Sequence, residues 1–136
     1  MRALLADNHV RVRWALRTYL REELGLEMVA EAADATTLLA EARTSRPDLI
    51  LAEWDLPGQP LEGVLESLRD QGLHARVIVL SRRPECERAA LAAGADVFVC
   101  KAGPPGQLGA ALHGLIGDGD PPPGNGTLDM HEGEKP

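Results

Sequence analysis

The sequence has few aromatic residues, few cysteines and no long apolar run. Aromatic residues make up 3% of the 136 residues and hydrophobic residues 44%, so we expect a core of aliphatic side chains. Cys86 and Cys100 lack the spacing of a metal site and are expected to stay reduced. No segment is long enough to span a membrane, and the start of the chain is too polar for a signal peptide. We therefore expect a cytoplasmic protein.

The sequence also lacks an excess of positive charge, since its net charge is −7. Residues 118–136 contain five acidic residues against one lysine, and this segment accounts for most of the net negative charge. A mildly acidic remainder argues against non-specific binding to nucleic acid. We expect this chain to contact neither nucleic acid nor a membrane.

Five short apolar segments alternate with five segments of helical periodicity. The apolar segments cover residues 3–6, 27–30, 48–53, 76–80 and 96–100. They are continuous runs, which is typical of parallel strands covered on both faces. Right-handed crossovers then predict an α/β fold, (βα)5, with a doubly wound parallel sheet. Asp34 is expected to cap the second helix, Pro84 to open the fourth, and Pro104 and Pro105 to open the fifth.

The last part of the chain, residues 118–136, has a different composition. Glycine and proline supply eight of its 19 residues, and Leu128 and Met130 are its only large apolar side chains. Such a composition cannot form a core. We therefore expect one domain over residues 1–117, followed by a disordered tail or linker over residues 118–136.

Polar residues follow four of the five predicted strands. In doubly wound sheets, ligands bind outside the carboxyl ends of the strands. The residues expected at those ends are Asp7, Asn8, Glu53, Ser81 and Lys101. Carboxylate and amide oxygens suit Mg²⁺, and serine and lysine can hold phosphoryl oxygens. The pattern indicates a pocket for magnesium and phosphate.

Taken in order, these segments resemble the receiver domain of bacterial two-component response regulators over residues 1–117. The similarity rests on "LLADNH", "EAAD", "RPDLILAEWDLPG", "ARVIVLS" and "LAAGADVFVCKAGPP". It is greatest to the subfamily that usually carries a helix-turn-helix DNA-binding domain after the receiver. The resemblance implies a flavodoxin-like fold with strand order 2-1-3-4-5.

The resemblance also implies a chemistry. In the family, an aspartate that ends the third strand takes a phosphoryl group from a histidine kinase, and an acidic pair after the first strand holds Mg²⁺. A serine or threonine and a lysine, here Ser81 and Lys101, bind the phosphoryl group. An aromatic residue three positions before the lysine, here Phe98, switches rotamer. For Phe98, simple core packing is the alternative.

The acceptor position departs from the family, because the residue four before Pro57 is Glu53. One extra methylene moves the carboxylate by about 1 Å, and such a misplacement can cost about 10²-fold in rate. We expect Glu53 to be a solvated acid paired with Lys101, or a carboxylate that stands in for a phosphoryl group near Lys101 and Ser81. Phosphorylation at Glu53 itself, or at Asp55 two residues on, is the alternative.

Two further departures lie beside the acceptor position. Asn8 replaces the second acid of the pair, which leaves Asp7 either as the ligand of a weak or lost Mg²⁺ site or as the N-cap of the first helix. Arg82 stands where the family has a small residue and is expected to occupy the pocket entrance or to pair with Glu53 or Asp55. No other cofactor is expected.

Several remaining side chains have plain structural interpretations. Trp14 and Trp54 are expected to pack in the interior. The histidines do not cluster along the sequence, so no zinc site is expected. The arginines of the first helix are expected to form a solvated face; they are Arg11, Arg13, Arg17 and Arg21.

These features predict a signalling module and not an enzyme. We expect a pseudo-receiver that acts by protein contact, with a histidine kinase or a downstream effector as its partner. The resemblance also implies a face, made by the fourth helix, fifth strand and fifth helix, that can support a homodimer. The alternatives are a phosphorylatable switch and the receiver half of a DNA-binding transcriptional regulator.

Overall fold

The computed structural model describes residues 1–101 and 106–116. Strands and helices alternate in the order β1 (Arg2–Ala6), α1 (Val10–Glu22), β2 (Glu27–Ala32), α2 (Ala35–Ser45), β3 (Leu49–Glu53), α3 (Leu61–Asp70), β4 (Arg76–Ser81), a 3₁₀ turn (Pro84–Cys86), α4 (Glu87–Ala92), β5 (Val97–Cys100) and α5 (Gln107–Ile116). The strands form one parallel sheet in the order β2-β1-β3-β4-β5. The predicted flavodoxin-like (βα)5 fold is confirmed.

Most element boundaries agree with the sequence pattern, with two differences. β2 continues to Ala32, two residues beyond its predicted end, because Leu4 to Ala6 of β1 keep pairing with it. Pro84 opens one turn of 3₁₀ helix, and the α-helix itself begins at Glu87.

Two sequence predictions lie outside the described residues. They are the start of the fifth helix at Pro104 and Pro105, and the tail over residues 118–136. Within the described ranges, no helix is both long enough and apolar enough to cross a membrane.

Asp34 caps α2 as predicted. Its carboxylate accepts a hydrogen bond from the Thr37 backbone N–H at 2.7 Å, which satisfies one of the free donors at the helix start. The same hydrogen bond lowers the pKa of Asp34 below its ordinary value, because it favours the charged carboxylate.

Aliphatic side chains cover both faces of the sheet. One layer lies between the sheet and α2, α3 and α4, and the other lies between the sheet and α1 and α5. Neighbouring residues of one strand contribute to opposite layers, as a strand requires: Leu4 belongs to the first layer and Leu5 to the second. The expected aliphatic core is confirmed.

The two tryptophans lie in different environments. Trp54 is half-buried and packs against the layer beneath α2, α3 and α4, as predicted. Trp14 is 60% exposed, so the prediction that it packs in the interior is wrong. The reason is helical geometry, since Trp14 lies two residues from both Val12 and Leu16, which face the core.

The arginines of α1 are not all solvated. Arg17 forms an ion pair with Glu31 of β2 at 2.6 Å, and Arg13 approaches the same carboxylate at 3.4 Å. The prediction of a solvated face is therefore wrong for these two residues and holds for the exposed Arg11 and Arg21. β2 lies beside α1 and supplies the acid, which the pattern within the helix could not show.

Candidate functional site

Four strands bring the predicted site residues to one edge of the sheet. Asp7 directly follows β1, Glu53 ends β3, Ser81 ends β4 and Lys101 directly follows β5. All four side chains belong to buried residues, with exposures of 0%, 6%, 0% and 3%. The sequence prediction that these residues meet at the carboxyl edge is confirmed by their contacts.

The Lys101 ammonium lies between two carboxylates. Its Nζ donates a hydrogen bond to Asp7 Oδ2 at 2.8 Å and another to Glu53 Oε1. The predicted pairing of Glu53 with Lys101 is therefore confirmed. Glu53 is not solvated, however, because Lys101 covers the end of the central strand β3. With little water between them, these charges interact strongly.

The remaining carboxylate oxygens also have protein donors. Glu53 Oε2 accepts the Asp55 backbone N–H at 3.2 Å. Asp7 Oδ1 accepts the His9 backbone N–H at 2.8 Å and lies 3.1 Å from His9 Nδ1. The N-cap of α1 is His9, so the alternative that Asp7 caps this helix is wrong. Asp7 instead bonds the N–H of the cap residue itself, two positions on.

This arrangement fits Mg²⁺ poorly. The ion prefers several oxygen ligands in an octahedron, whereas both oxygens of Asp7 and of Glu53 are engaged by protein donors. Asn8 is exposed. In the part of the chain that the structure describes, no group of three His, Cys, Asp or Glu residues is placed to hold a metal ion. The weak or lost site at Asp7 stays a prediction.

An ion pair of half-exposed side chains lies beside the pocket. Arg83 Nη2 contacts Asp55 Oδ1 at 2.6 Å, and this hydrogen bond and charge raise the pKa of the Arg83 guanidinium. Arg83 is thus a partner of Asp55, and the predicted place of Arg82 at the pocket entrance or beside Glu53 or Asp55 stays a prediction. The Arg83 backbone N–H donates to Ser81 Oγ at 3.0 Å, and the turn closed by this bond carries Arg83 towards Asp55. Arg82 is exposed.

Phe98 is buried in the layer beneath α2, α3 and α4, which also contains Val79 and Cys86. Core packing is therefore confirmed for this residue, and a rotamer switch stays a prediction. Cys86 is buried, Cys100 is half-buried, and both are free thiols, as expected.

Sequence reasoning missed two residues of this site, His9 and Arg83. An aspartate often bonds the N–H two residues on, so the position of His9 after Asp7 was a usable signal. Nothing in the sequence marks Arg83 as a partner of Asp55, because this contact depends on the path of the loop after β4.

Comparison with known proteins gives one family. The family model described as the response regulator receiver domain matches residues 3–113. The nitrate/nitrite response regulator protein NarL of Escherichia coli (strain K12) is 31% identical over 112 residues, which is 81% of this chain and 52% of that protein. The transcriptional activator protein ExaE of Pseudomonas putida is 34% identical over 118 residues, which is 85% of this chain and 55% of that protein. The chain thus spans about half the length of these curated relatives.

Solved structures agree with this result. A two-component response regulator of the LuxR family from Aurantimonas sp. SI85-9A1 superposes with a TM-score of 0.77 at 28% identity, over 85% of this chain and 84% of that one. The signal receiver domain of the response regulator NarL from Mycobacterium tuberculosis gives a TM-score of 0.76 at 24% identity, over 86% of this chain and 96% of that one. The second likeness supports the fold alone.

Proposed function

This chain belongs to the response regulator receiver family, and from that premise we propose that it works as a pseudo-receiver. It is the receiver domain of a two-component response regulator. In our proposal it acts in the cytoplasm by protein contact and takes no phosphoryl group at position 53. One observation carries the proposal: the Lys101 ammonium is already bound by two buried carboxylates.

The contacts of Glu53 argue against phosphoryl transfer. Such transfer depends on exact positioning and on neutralisation of charge. A nucleophilic Glu53 would have to release either Lys101 or the Asp55 N–H, from a carboxylate already displaced by one methylene. In the family, bound Mg²⁺ neutralises the charge of the phosphoryl group, and here the ion would compete with Lys101 for Asp7.

The same contacts support a standing signal, by which we mean an active conformation that is held without phosphorylation. The longer side chain of Glu53 brings a negative charge to Lys101 without any phosphodonor. In the family a phosphoryl group supplies that charge, so Glu53 imitates the phosphorylated form in our proposal. The partner is then a histidine kinase or an effector protein that reads one fixed state.

The proposed homodimer face consists of α4, β5 and α5. Leu91 of α4 is 43% exposed and supplies an apolar contact there. Glu87 and Arg88 are exposed on the same helix and can form ion pairs across such an interface.

The intact mass of the protein after treatment with Mg²⁺ and acetyl phosphate tests this proposal. We expect no phosphoryl adduct on the native chain and a phosphoryl adduct on Glu53→Asp, since that variant restores the shorter acceptor. Asp55→Asn is the matched control, because it removes the neighbouring acid and leaves Glu53 in place.

An adduct on the native chain would contradict the proposal. If Asp55→Asn abolished that adduct, Asp55 would be a displaced acceptor. If Glu53→Gln abolished it instead, Glu53 would be a working acceptor. Unchanged partner binding by Glu53→Gln would separately overturn the standing signal.

A second candidate is the receiver half of a DNA-binding transcriptional regulator. It is favoured by the relatives, which are longer than this chain, are matched over only about half of their length and include a protein named as a transcriptional activator. Reading the gene downstream of codon 136 tests it. A helix-turn-helix coding segment in frame would support this candidate, and a stop codon would exclude it. Neither candidate is an enzyme.

A further inference from the structure

A groove opens at the amino edge of the sheet, at the far end of the strands from Lys101. Its cavity of about 250 Å³ has apolar residues on its floor and basic residues on its rim. The floor includes Ile50, Leu65 and Leu68, and the rim includes Arg69, His74 and Arg76. A second cavity of about 450 Å³ shares the segment Leu73–Arg76 and continues to Arg46 and Leu115.

Backbone carbonyls orient the arginines of the rim. Arg69 donates to the Gly94 carbonyl at 2.8 Å and to the Ala93 carbonyl at 3.3 Å, and Arg76 donates to the Leu115 carbonyl at 3.2 Å. Over residues 1–101 and 106–116, neither arginine forms an ion pair with a carboxylate. Since a guanidinium has five N–H donors, each arginine keeps its charge and further donors for another group.

The two acids of the groove are already hydrogen-bonded to the backbone. Asp96 accepts the Val77 N–H at 2.7 Å, and Asp48 accepts the Arg2 N–H at 2.9 Å. Three arginines line the two cavities against these two acids: Arg46, Arg69 and Arg76. In a chain of net charge −7, this groove is a local basic surface. An apolar floor with a basic rim fits an extended peptide in which apolar and acidic side chains alternate.

The chain contains such a segment after α5. Residues 118–136 hold five acids against one lysine, and Leu128, Asp129 and Met130 alternate apolar and acidic side chains. In an extended chain, Leu128 and Met130 lie on one side and Asp129 on the other.

The segment is also within reach of the groove. Leu115, whose carbonyl binds Arg76, lines the second cavity. The 12 residues between Leu115 and Leu128 can span up to roughly 40 Å. This length is sufficient for the Leu128 region to reach the amino edge of the sheet.

We propose that residues 128–134 of this chain dock in the groove as an extended segment. Leu128 and Met130 contact the apolar floor, and the acidic side chains meet the arginines of the rim. This contact is independent of the function proposed for the carboxyl edge, because the two sites share no residue.

Amide chemical shifts of residues Leu73–Val77, measured by NMR on the full chain, test the proposal. We expect Leu128→Ser with Met130→Ser to shift these signals, and Asp129→Asn with Glu132→Gln and Glu134→Gln to shift them in the same direction. Thr127→Ser with His131→Asn is the matched control, since it changes neighbouring residues and keeps the apolar and acidic side chains. Added salt should reduce the difference between the native chain and the charge variant.

A synthetic peptide of residues 124–136 identifies the occupant. Added to the chain that carries the Leu128 and Met130 substitutions, it should restore the native signals, and Arg69→Gln or Arg76→Gln should prevent this restoration. Groove signals unchanged in both tail variants would overturn the proposal. Equal restoration by a scrambled peptide or by inorganic phosphate would show a general anion site and overturn the assignment of the tail. A loss of the native signals on dilution would contradict docking within one chain.

Discussion

The two edges of this sheet differ in the burial and in the hydrogen-bond partners of their charged side chains. At the carboxyl edge, one ammonium and two carboxylates are buried and bond to each other. At the amino edge, arginines are exposed and bond to backbone carbonyls. Helices end at the amino edge, where their last carbonyls are free and attract cations; Arg43 and Arg69 lie in the last turns of α2 and α3. The buried charges at the carboxyl edge bond to one another, whereas the exposed arginines at the amino edge keep further N–H donors for another group.

The largest expected effect comes from removing the shared ammonium. Lys101→Met leaves two buried carboxylates without their cation, so we expect a loss of about 3–5 kcal/mol in the free energy of unfolding. Urea denaturation at neutral pH measures it. Arg83→Met removes an exposed cation and serves as the control, with no resolvable change expected. A loss no greater for Lys101→Met than for Arg83→Met would contradict the difference between buried and exposed charge.

A smaller effect is expected at the amino edge. Gly94 has φ of +113°, and a Cβ there would overlap the guanidinium of Arg69. Gly94→Ala should therefore cost about 1–3 kcal/mol and move Arg69 away from the groove. Gly63→Ala is the matched control, since a Cβ there, in the first turn of α3, meets nothing within 4 Å. That change should stabilise the protein by about 0.5–1 kcal/mol. Thermal denaturation compares the two, and similar shifts of both variants would argue against strain at Gly94.

The smallest expected effect concerns the Asp34 cap of α2, which begins at the carboxyl edge of the sheet. The pKa of Asp34 is lowered in the folded protein by the Thr37 N–H, so its charged form stabilises the fold above the ordinary pKa of 3.8. Asp34→Ala should lower stability at neutral pH, and the gap to the native chain should close as the pH falls through the folded pKa. Urea midpoints at neutral pH and at about pH 3 measure this gap. A gap that widens in acid would rule out the capping carboxylate as its cause.

Much of the fold and of the carboxyl edge could be predicted from local patterns. Continuous apolar runs specify parallel strands, and the residue that ends each run, such as Glu53 or Ser81, is thereby placed at one edge. The burial of Glu53 and the pairing of Arg83 with Asp55 could not be predicted, because each depends on how a loop or a neighbouring element lies, which residue spacing does not encode. The exposure of Trp14 follows from its spacing to Val12 and Leu16 on the helix and could have been predicted.

The amino-edge groove had no sequence signal at all. Arg46 is distant along the chain from Arg69 and Arg76, and the three stand at the ends of different elements. The short connection from α3 to β4 joins Arg69 and Arg76, and the order of strands in the sheet brings Arg46 to the same edge. Long-range topology, more than local pattern, therefore limits what could be foreseen here.

The central claim is that the carboxyl-edge pocket is satisfied by its own charges. An NMR titration of the native chain with Mg²⁺ and beryllofluoride, a mimic of the phosphoryl group, tests this most directly. The account predicts unchanged amide signals at Asp7, Glu53 and Lys101 in the native chain, and saturable shifts of the same signals in Glu53→Asp. Saturable shifts in the native chain would contradict the claim and show a pocket that still takes its ligands.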